Sequence, residues 1–291
     1  MRIPKFAGAI KVQLRDVRWL AGAALLLVAL SAPAQNLFVS SIGQNTIYVV
    51  TPGGTISTFV QGITDPTYMA FNSSGDLFVD SASSIYEITP GGKTNIFATG
   101  ISDLGELAIN SAGDIFAASG NVNGSIIEIT PNGVESTFAS GLDIPVGLTF
   151  NSAGDLLVST HTNITEITPG GVKSVFTPGL SEPGSLVING GGYVFAETGL
   201  TLTEISPTGS TATSFTSIPS GSRQLILGSG GLLLANQTEG EVLEFNPNGE
   251  ESVFAPGING AYGLAIQPVP EPSVMGLLAA GAMILFARRR R

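Results

Sequence analysis

The chain has no cysteine and a single histidine in 291 residues. Disulfides and thiolate metal sites are therefore excluded. Chemistry that relies on several imidazoles is excluded with them. Cation is scarce too. Five of the twelve basic residues lie within the first 18 positions and four are Arg288 to Arg291. Only Lys93, Lys173 and Arg223 stand between, and against twenty carboxylates from Asp65 to Glu251 they leave a formal charge of −17. A surface of that sign repels nucleic acid and anionic membranes, so a nucleic-acid partner is excluded.

Long apolar runs are confined to the two ends. Residues 1–34 read as a signal peptide. Arg2, Lys5, Lys11, Arg15 and Arg18 form a basic start, Trp19 to Leu30 a 12-residue apolar core, and Ala32-Pro33-Ala34 a small-residue site for signal peptidase before Gln35. Residues 269–291 contain Pro270-Glu271-Pro272, a 14-residue apolar run at 274–287, and Arg288, Arg289, Arg290 and Arg291. At ~1.5 Å per residue the run reaches ~21 Å, short of a ~30 Å hydrocarbon core, while the arginines hold its end on the cytoplasmic side.

What fills the middle is a repeat. Asn72 to Ile109, Asn110 to Phe150 and Asn151 to Ile188 each open on an "NSxGD" turn and carry an "IxEIT" strand. Weaker copies run over 189–227 and 228–266, and a first copy over 36–71 lacks its leading turn. Each copy holds four short runs of Ile, Val, Phe and Leu, separated by turns in which Gly supplies positive φ and Asn or Asp caps. Four strands repeated six times predict an all-β, six-bladed β-propeller over residues 35–268, flanked by an N-terminal signal helix and a short C-terminal transmembrane helix. The chain enters on a second strand ("NLFV") and leaves on a first ("YGLAI"), so N- and C-terminal strands are expected to pair and close the ring.

Two resemblances follow from these motifs. "VPEP", the apolar run and the Arg-rich end together resemble the PEP-CTERM sorting signal of Gram-negative bacteria. That resemblance implies recognition near Pro270-Glu271-Pro272 by an exosortase, transient residence in the inner membrane, and delivery to the cell surface or matrix, often beside exopolysaccharide. The repeated "NSxGDLxV" and "IxEITPGG" resemble NHL repeats and gluconolactonase-like six-bladed propellers. Gluconolactonase-like relatives imply a divalent cation such as Ca²⁺ held in the channel by Glu, Asn and Asp oxygens. Glu106, Asp80 and Asn121 or Asn123 are the oxygen donors available for it, but the family's Glu-Gly-Pro start is missing. Lyase-type relatives depend on several histidines, which this chain lacks.

The short repeated turns predict a plain face, and the variable connections opposite it a functional one. Candidate ligand-binding residues on that face are Asp80, Asp103, Glu106, His161, Glu197 and Arg223. Glu106 aligns with Tyr68, Gly147, Ser185, Gln224 and Gly263 in the other copies, so it is charged in one blade alone. Arg223 is equally singular, one step away in register. Glu87, Glu128, Glu166, Glu204 and Glu244 recur at one strand position and read as structural. With no catalytic constellation and no assigned cofactor, the expectation is a binding module for exopolysaccharide or surface proteins. A metal-dependent lactonase working in the channel is the alternative.

Overall fold

A computed structural model describes residues 35–268 apart from 102, 103, 121, 122 and 230. The signal segment with Ala34, Asp103, Asn121, and the sorting residues Pro270 to Pro272 and Arg288 to Arg291 lie outside the described residues.

The architecture is a six-bladed propeller of four-stranded antiparallel sheets, with no helix among the described residues. Blade 1 joins β1 (Leu37–Ser41), β2 (Thr46–Val50) and β3 (Ile56–Gln61) to the last strand, β24 (Ala261–Ile266). Blade 2 runs β4 (Pro66–Phe71), β5 (Leu77–Ser81), β6 (Ser84–Ile88) and β7 (Thr94–Thr99). Blade 3 runs β8 (Leu104–Ile109), β9 (Ile115–Ser119), β10 (Gly124–Ile129) and β11 (Glu135–Leu142). Blade 4 is β12 (Leu148–Phe150), β13 (Leu156–Ser159), β14 (Asn163–Ile167) and β15 (Lys173–Pro178). Blade 5 is β16 (Pro183–Ile188), β17 (Val194–Thr198), β18 (Thr201–Ile205) and β19 (Ala212–Ser217). Blade 6 is β20 (Ser222–Leu227), β21 (Leu232–Asn236), β22 (Glu241–Phe245) and β23 (Glu251–Pro256). Closure is as expected: β24 pairs with β1, Leu37 opposite Ile266 and Val39 opposite Leu264.

Each blade exposes two apolar faces that only its neighbours can cover. Accordingly the core is six clusters, one per blade interface. Phe116, Ala118 and Ile126 of blade 3 meet Leu148, Leu156 and Val158 of blade 4, for example. A bulge in every outermost strand serves this packing. In blade 2 Ile85 pairs with Ala98 and Tyr86 with Ile96, which leaves Phe97 unpaired between them. Phe97 then turns edge-on to Phe78, with ring centroids 4.9 Å apart. Phe59, Phe138 and Phe215 repeat the contact with Phe38, Phe116 and Phe195. The bulge also twists the free outer edge, which hinders edge-to-edge pairing with other chains.

The "NSxGD" turns are held by their own asparagine. Asn72 Oδ1 accepts from the Ser74 and Asp76 amides while its Nδ2 donates to Asp76 Oδ2 at 3.1 Å. Asn110 and Asn151 repeat the arrangement with Asp114 and Asp155. These carboxylates are therefore parts of turns.

Candidate functional site

The innermost strands β4, β8, β16, β20 and β24, with the segment leading into β12, start at the variable-loop face and run along the axis. Two successive residues of each build two layers. The outer layer, at the mouth, is Tyr262, Thr67, Gly105, Val146, Gly184 and Arg223, from blades 1 to 6. The inner layer is Gly263, Tyr68, Glu106, Gly147, Ser185 and Gln224, and all six are buried.

Glu106 closes the inner layer. Its Oε1 accepts from Ser185 Oγ at 2.9 Å and from Gln224 Nε2 at 3.0 Å, and its Oε2 accepts from the Leu148 amide at 3.0 Å. Ser185 belongs to blade 5 and Gln224 to blade 6, directly opposite, so this one carboxylate spans the axis. Gln224 Oε1 in turn accepts from the Leu264 amide at 2.8 Å in blade 1. Burial pushes the Glu106 carboxyl up to about 7, against the pull of these donors. Glu106 is thus a tie across the ring, a reason for its singularity that repeat alignment alone did not reveal.

Asp80 and Glu197 occupy equivalent positions in β5 and β17, in strands rather than in the loops where sequence placed them, and on opposite blades. Thr67 Oγ1 donates to Asp80 Oδ2. Gly184 fills the corresponding place beside Glu197 and has no hydroxyl to offer; a Cβ there would sit 3.1 Å from Glu197 Oε2. Asp80 Oδ1 and Glu197 Oε1 are buried with no hydrogen-bond partner among the described residues. Burial raises Asp80 to about 7. It raises Glu197 well above the usual carboxylate range, with the charge of Glu106 adding and that of Arg223 opposing.

Arg223 is half-buried at the mouth. Its Nε donates to Gln237 Oε1 at 2.7 Å, its Nη1 to the Ser222 carbonyl at 3.2 Å, and its guanidinium lies 5.4 Å from the centre of the Tyr262 ring. Tyr262 meets Tyr68 edge-to-face at 5.3 Å. Burial, then Tyr262 and Glu106, hold the Tyr68 hydroxyl well above its ordinary range. Of the residues singled out from sequence, the structure gathers Glu106, Glu197 and Arg223 about the axis, with Asp80 apart in blade 2, opposite Glu197. His161 is exposed in the blade-4 loop, where its backbone ties Asp143 to Glu182 through bonds of 2.9 and 3.1 Å. The tyrosine pair was not among the candidates; Tyr68 of blade 2 and Tyr262 of blade 1 are each the single tyrosine at their position in the innermost strands, and that was the available signal.

Among the described residues no three acidic or histidine side chains gather as a metal ion requires. Glu106 is saturated by protein donors and Asp80 is engaged by Thr67. Among the described residues the arrangement does not supply the oxygen-donor set expected of a gluconolactonase-like cation site. Clefts of about 440 and 520 Å³ do open on the opposite face, between blades 4 and 5 and between blades 3 and 4. They flank the Asn151 turn and are walled by repeat residues such as Phe150, Phe138 and Phe176. In the first, Leu157 stands where blades 1, 2, 3 and 5 carry phenylalanine, and the smaller side chain widens the gap.

Residues 268–291 match the PEP-CTERM protein-sorting motif. The motif indicates export with membrane-associated sorting and implies processing by an exosortase. No curated protein matches the chain. Among solved structures, a chain of a nidogen/laminin complex superposes with TM-score 0.73 at 14% identity, over 81% of this chain and 99% of that one. A gluconolactonase of Xanthomonas campestris gives 0.61 at 15% identity, over 69% and 79%. A virginiamycin B lyase of Staphylococcus aureus gives 0.54 at 17%, over 68% and 73%. Likeness at such identities shows a shared propeller fold.

Proposed function

We propose that the chain is an exported binding module, delivered to the cell surface or matrix after its signal and sorting segments are processed, and that it binds through the axial mouth of the variable-loop face. The observation that carries this reading is Arg223. Among the described residues it is the one cation at the mouth, is stacked on Tyr262, and has only neutral hydrogen-bond partners. Such a group has donors left over for a ligand. The surrounding hydrogen bonds fix the ring beneath it, so the mouth is rigid and pre-formed. A lactonase reading lacks support at this site, because the carboxylate nearest the axis is committed to three protein donors.

The test is co-sedimentation of the purified full chain with polymer extracted from the producing cells. Binding that is lost in Tyr262→Ala and Arg223→Met, yet kept in Tyr193→Ala on the turn face, is the expected result. No binding to any surface or matrix polymer would remove the proposal's content. Loss only with Tyr193→Ala would move the site to the other face.

A further inference from the structure

Charge is missing from one part of the propeller. No Asp, Glu, Lys or Arg occurs from 36 to 64 or from 252 to 270, whereas residues 65–251 hold twenty carboxylates against three cations. Ring closure joins β1, β2 and β3 of the first stretch to β24 of the second, so blade 1 carries no charged side chain. The whole negative charge falls on blades 2 to 6 and their loops.

The same blade holds both chain ends. In blades 2 to 6 a short connection links the innermost strand to the next. In blade 1 that place is taken by the end of β24 and the start of β1, with Leu37 opposite Ile266. The Gln267 amide donates to the Asn36 carbonyl at 3.1 Å, and Gln35 Nε2 donates to the Gln267 carbonyl at 2.9 Å. Gln35 and Gln267 therefore leave side by side on the turn face, away from the mouth. Only residues 268–273 separate Gln267 from the apolar run of the sorting tail. At ~3.3–3.6 Å per residue they reach roughly 20 Å at most.

We propose that, while its sorting tail is held in a membrane, the propeller stands on the lipid surface through the turn-face edge of blade 1, with the variable-loop face directed outward. The short tether keeps the turn face beside the headgroups. An anionic surface repels the acidic blades over about a Debye length, ~8 Å at physiological salt, and leaves the neutral blade free to approach. The edge that approaches is polar without charge: Thr55, Ser57 and Thr58 are exposed and offer hydroxyls to headgroups. The same end of blade 4, across the ring, instead presents Asp155 and Glu166 around Asn151. This footing is independent of what the mouth binds, and it leaves the mouth open to the outside.

The chain has no native cysteine, so single introduced cysteines report position directly. Thr55 and Val172 are exposed at one repeat position, and the amide of each donates at 3.2 Å to the threonine hydroxyl four residues back. Thr55→Cys, Val172→Cys and, on the loop face of blade 1, Gln44→Cys are labelled with a fluorophore in the full chain. Each is reconstituted into vesicles of phosphatidylethanolamine and phosphatidylglycerol that contain a lipid spin-labelled at its headgroup. The chain is expected to float with the vesicles. Quenching is expected to be at least about twofold stronger at Thr55→Cys than at Val172→Cys, and weakest at Gln44→Cys. Salt at 1 M, which shortens screening to ~3 Å, narrows the difference between Thr55→Cys and Val172→Cys. Adding Ser57→Glu with Thr58→Glu narrows it at ordinary salt. Equal quenching at Thr55→Cys and Val172→Cys overturns the proposal. So does a difference indifferent to salt and to the added acids, quenching at Gln44→Cys as strong as at Thr55→Cys, or a chain that does not float. None of these outcomes bears on polymer binding at the mouth, which is read separately by co-sedimentation.

Discussion

Three blades bring Gly263, Tyr68 and Glu106 to the buried axial layer, and the three opposite bring Gly147, Ser185 and Gln224. The bonds of the two halves match closely. The Leu148 amide donates to Glu106 at 3.0 Å and the Leu264 amide to Gln224 at 2.8 Å. Gly147 donates to Ser159 Oγ and Gly263 to Ser40 Oγ, both at 2.7 Å. One residue nearer the mouth the match ends: Tyr262 faces Val146, Thr67 faces Gly184, and Gly105 faces Arg223. In the inner layer two of the three opposed pairs agree, Glu106 with Gln224 and Gly147 with Gly263, while Tyr68 stands opposite Ser185; at the mouth all three pairs diverge. Divergence from the ring's own two-fold pattern is thus a physical marker of the site, and it needs no relative to be seen.

The largest way to break this comparison is at the tie itself. Glu106→Ala leaves the Leu148 amide, Ser185 and Gln224 facing a buried void. It is expected to cost roughly 3–5 kcal/mol in urea unfolding, as for breaking a buried charged network. Gln224→Ala, which strips one acceptor and one donor, should cost roughly half as much. Equal losses would mean that the two halves share the load evenly.

Acidity next separates Glu106 from Gln224, its opposite number in the inner layer. Glu106 is raised in the folded chain from 4.5 to about 7, so its contribution is fully present below pH 4.5 and is lost as pH rises through about 7. Asp80, raised from 3.8 to about 7, acts in the same direction. Stability should therefore fall between about pH 4.5 and 7, by up to roughly 3 kcal/mol from Glu106. Glu106→Gln should flatten that slope, and Gln224→Glu should steepen it. A midpoint that rises across this range would contradict the assignment.

Smaller and symmetric, Ser40→Ala and Ser159→Ala should each cost about 1–2 kcal/mol by orphaning a glycine amide. Thermal melts that differ widely between them would show that the two-fold pattern is geometric without being energetic. Smallest of all, Gly184→Ser gives blade 5 the hydroxyl that blade 2 has in Thr67. Its Cβ would press Glu197 Oε2 from 3.1 Å. Stability should stay within about 1 kcal/mol of the native chain in thermal melts, the new crowding offset as Glu197 gains an internal partner.

Much of this molecule was legible in its sequence because the repeat states the blade four strands at a time. The phase of the first and last strands fixed the closure now seen between β1 and β24. The bulged phenylalanines were equally written in the repeat, as a Phe in every outermost strand, but a bulge is a matter of register that composition does not carry. Glu106 was visible as a singular charge near the axis. That its oxygens are spent on Ser185 and Gln224 could not be read, because those residues lie 79 and 118 positions away and meet it only once the ring is closed. Asp80 and Glu197 read as loop residues because each sits at a strand end, where periodicity gives no sign of burial.

The account turns on which face of the propeller a ligand covers, and its two faces each carry a reporting tyrosine. Tyr262 lies half-buried at the axial mouth, while Tyr193, 42% exposed, stands by the Asn189 turn on the opposite face. Hydroxyl-radical footprinting of the full chain with and without cell-surface polymer reads both in one experiment. Protection of Tyr262 with Tyr193 unchanged is the result expected of a ligand seated on Arg223. Protection of Tyr193 with Tyr262 unchanged would place binding in the inter-blade clefts and contradict the account.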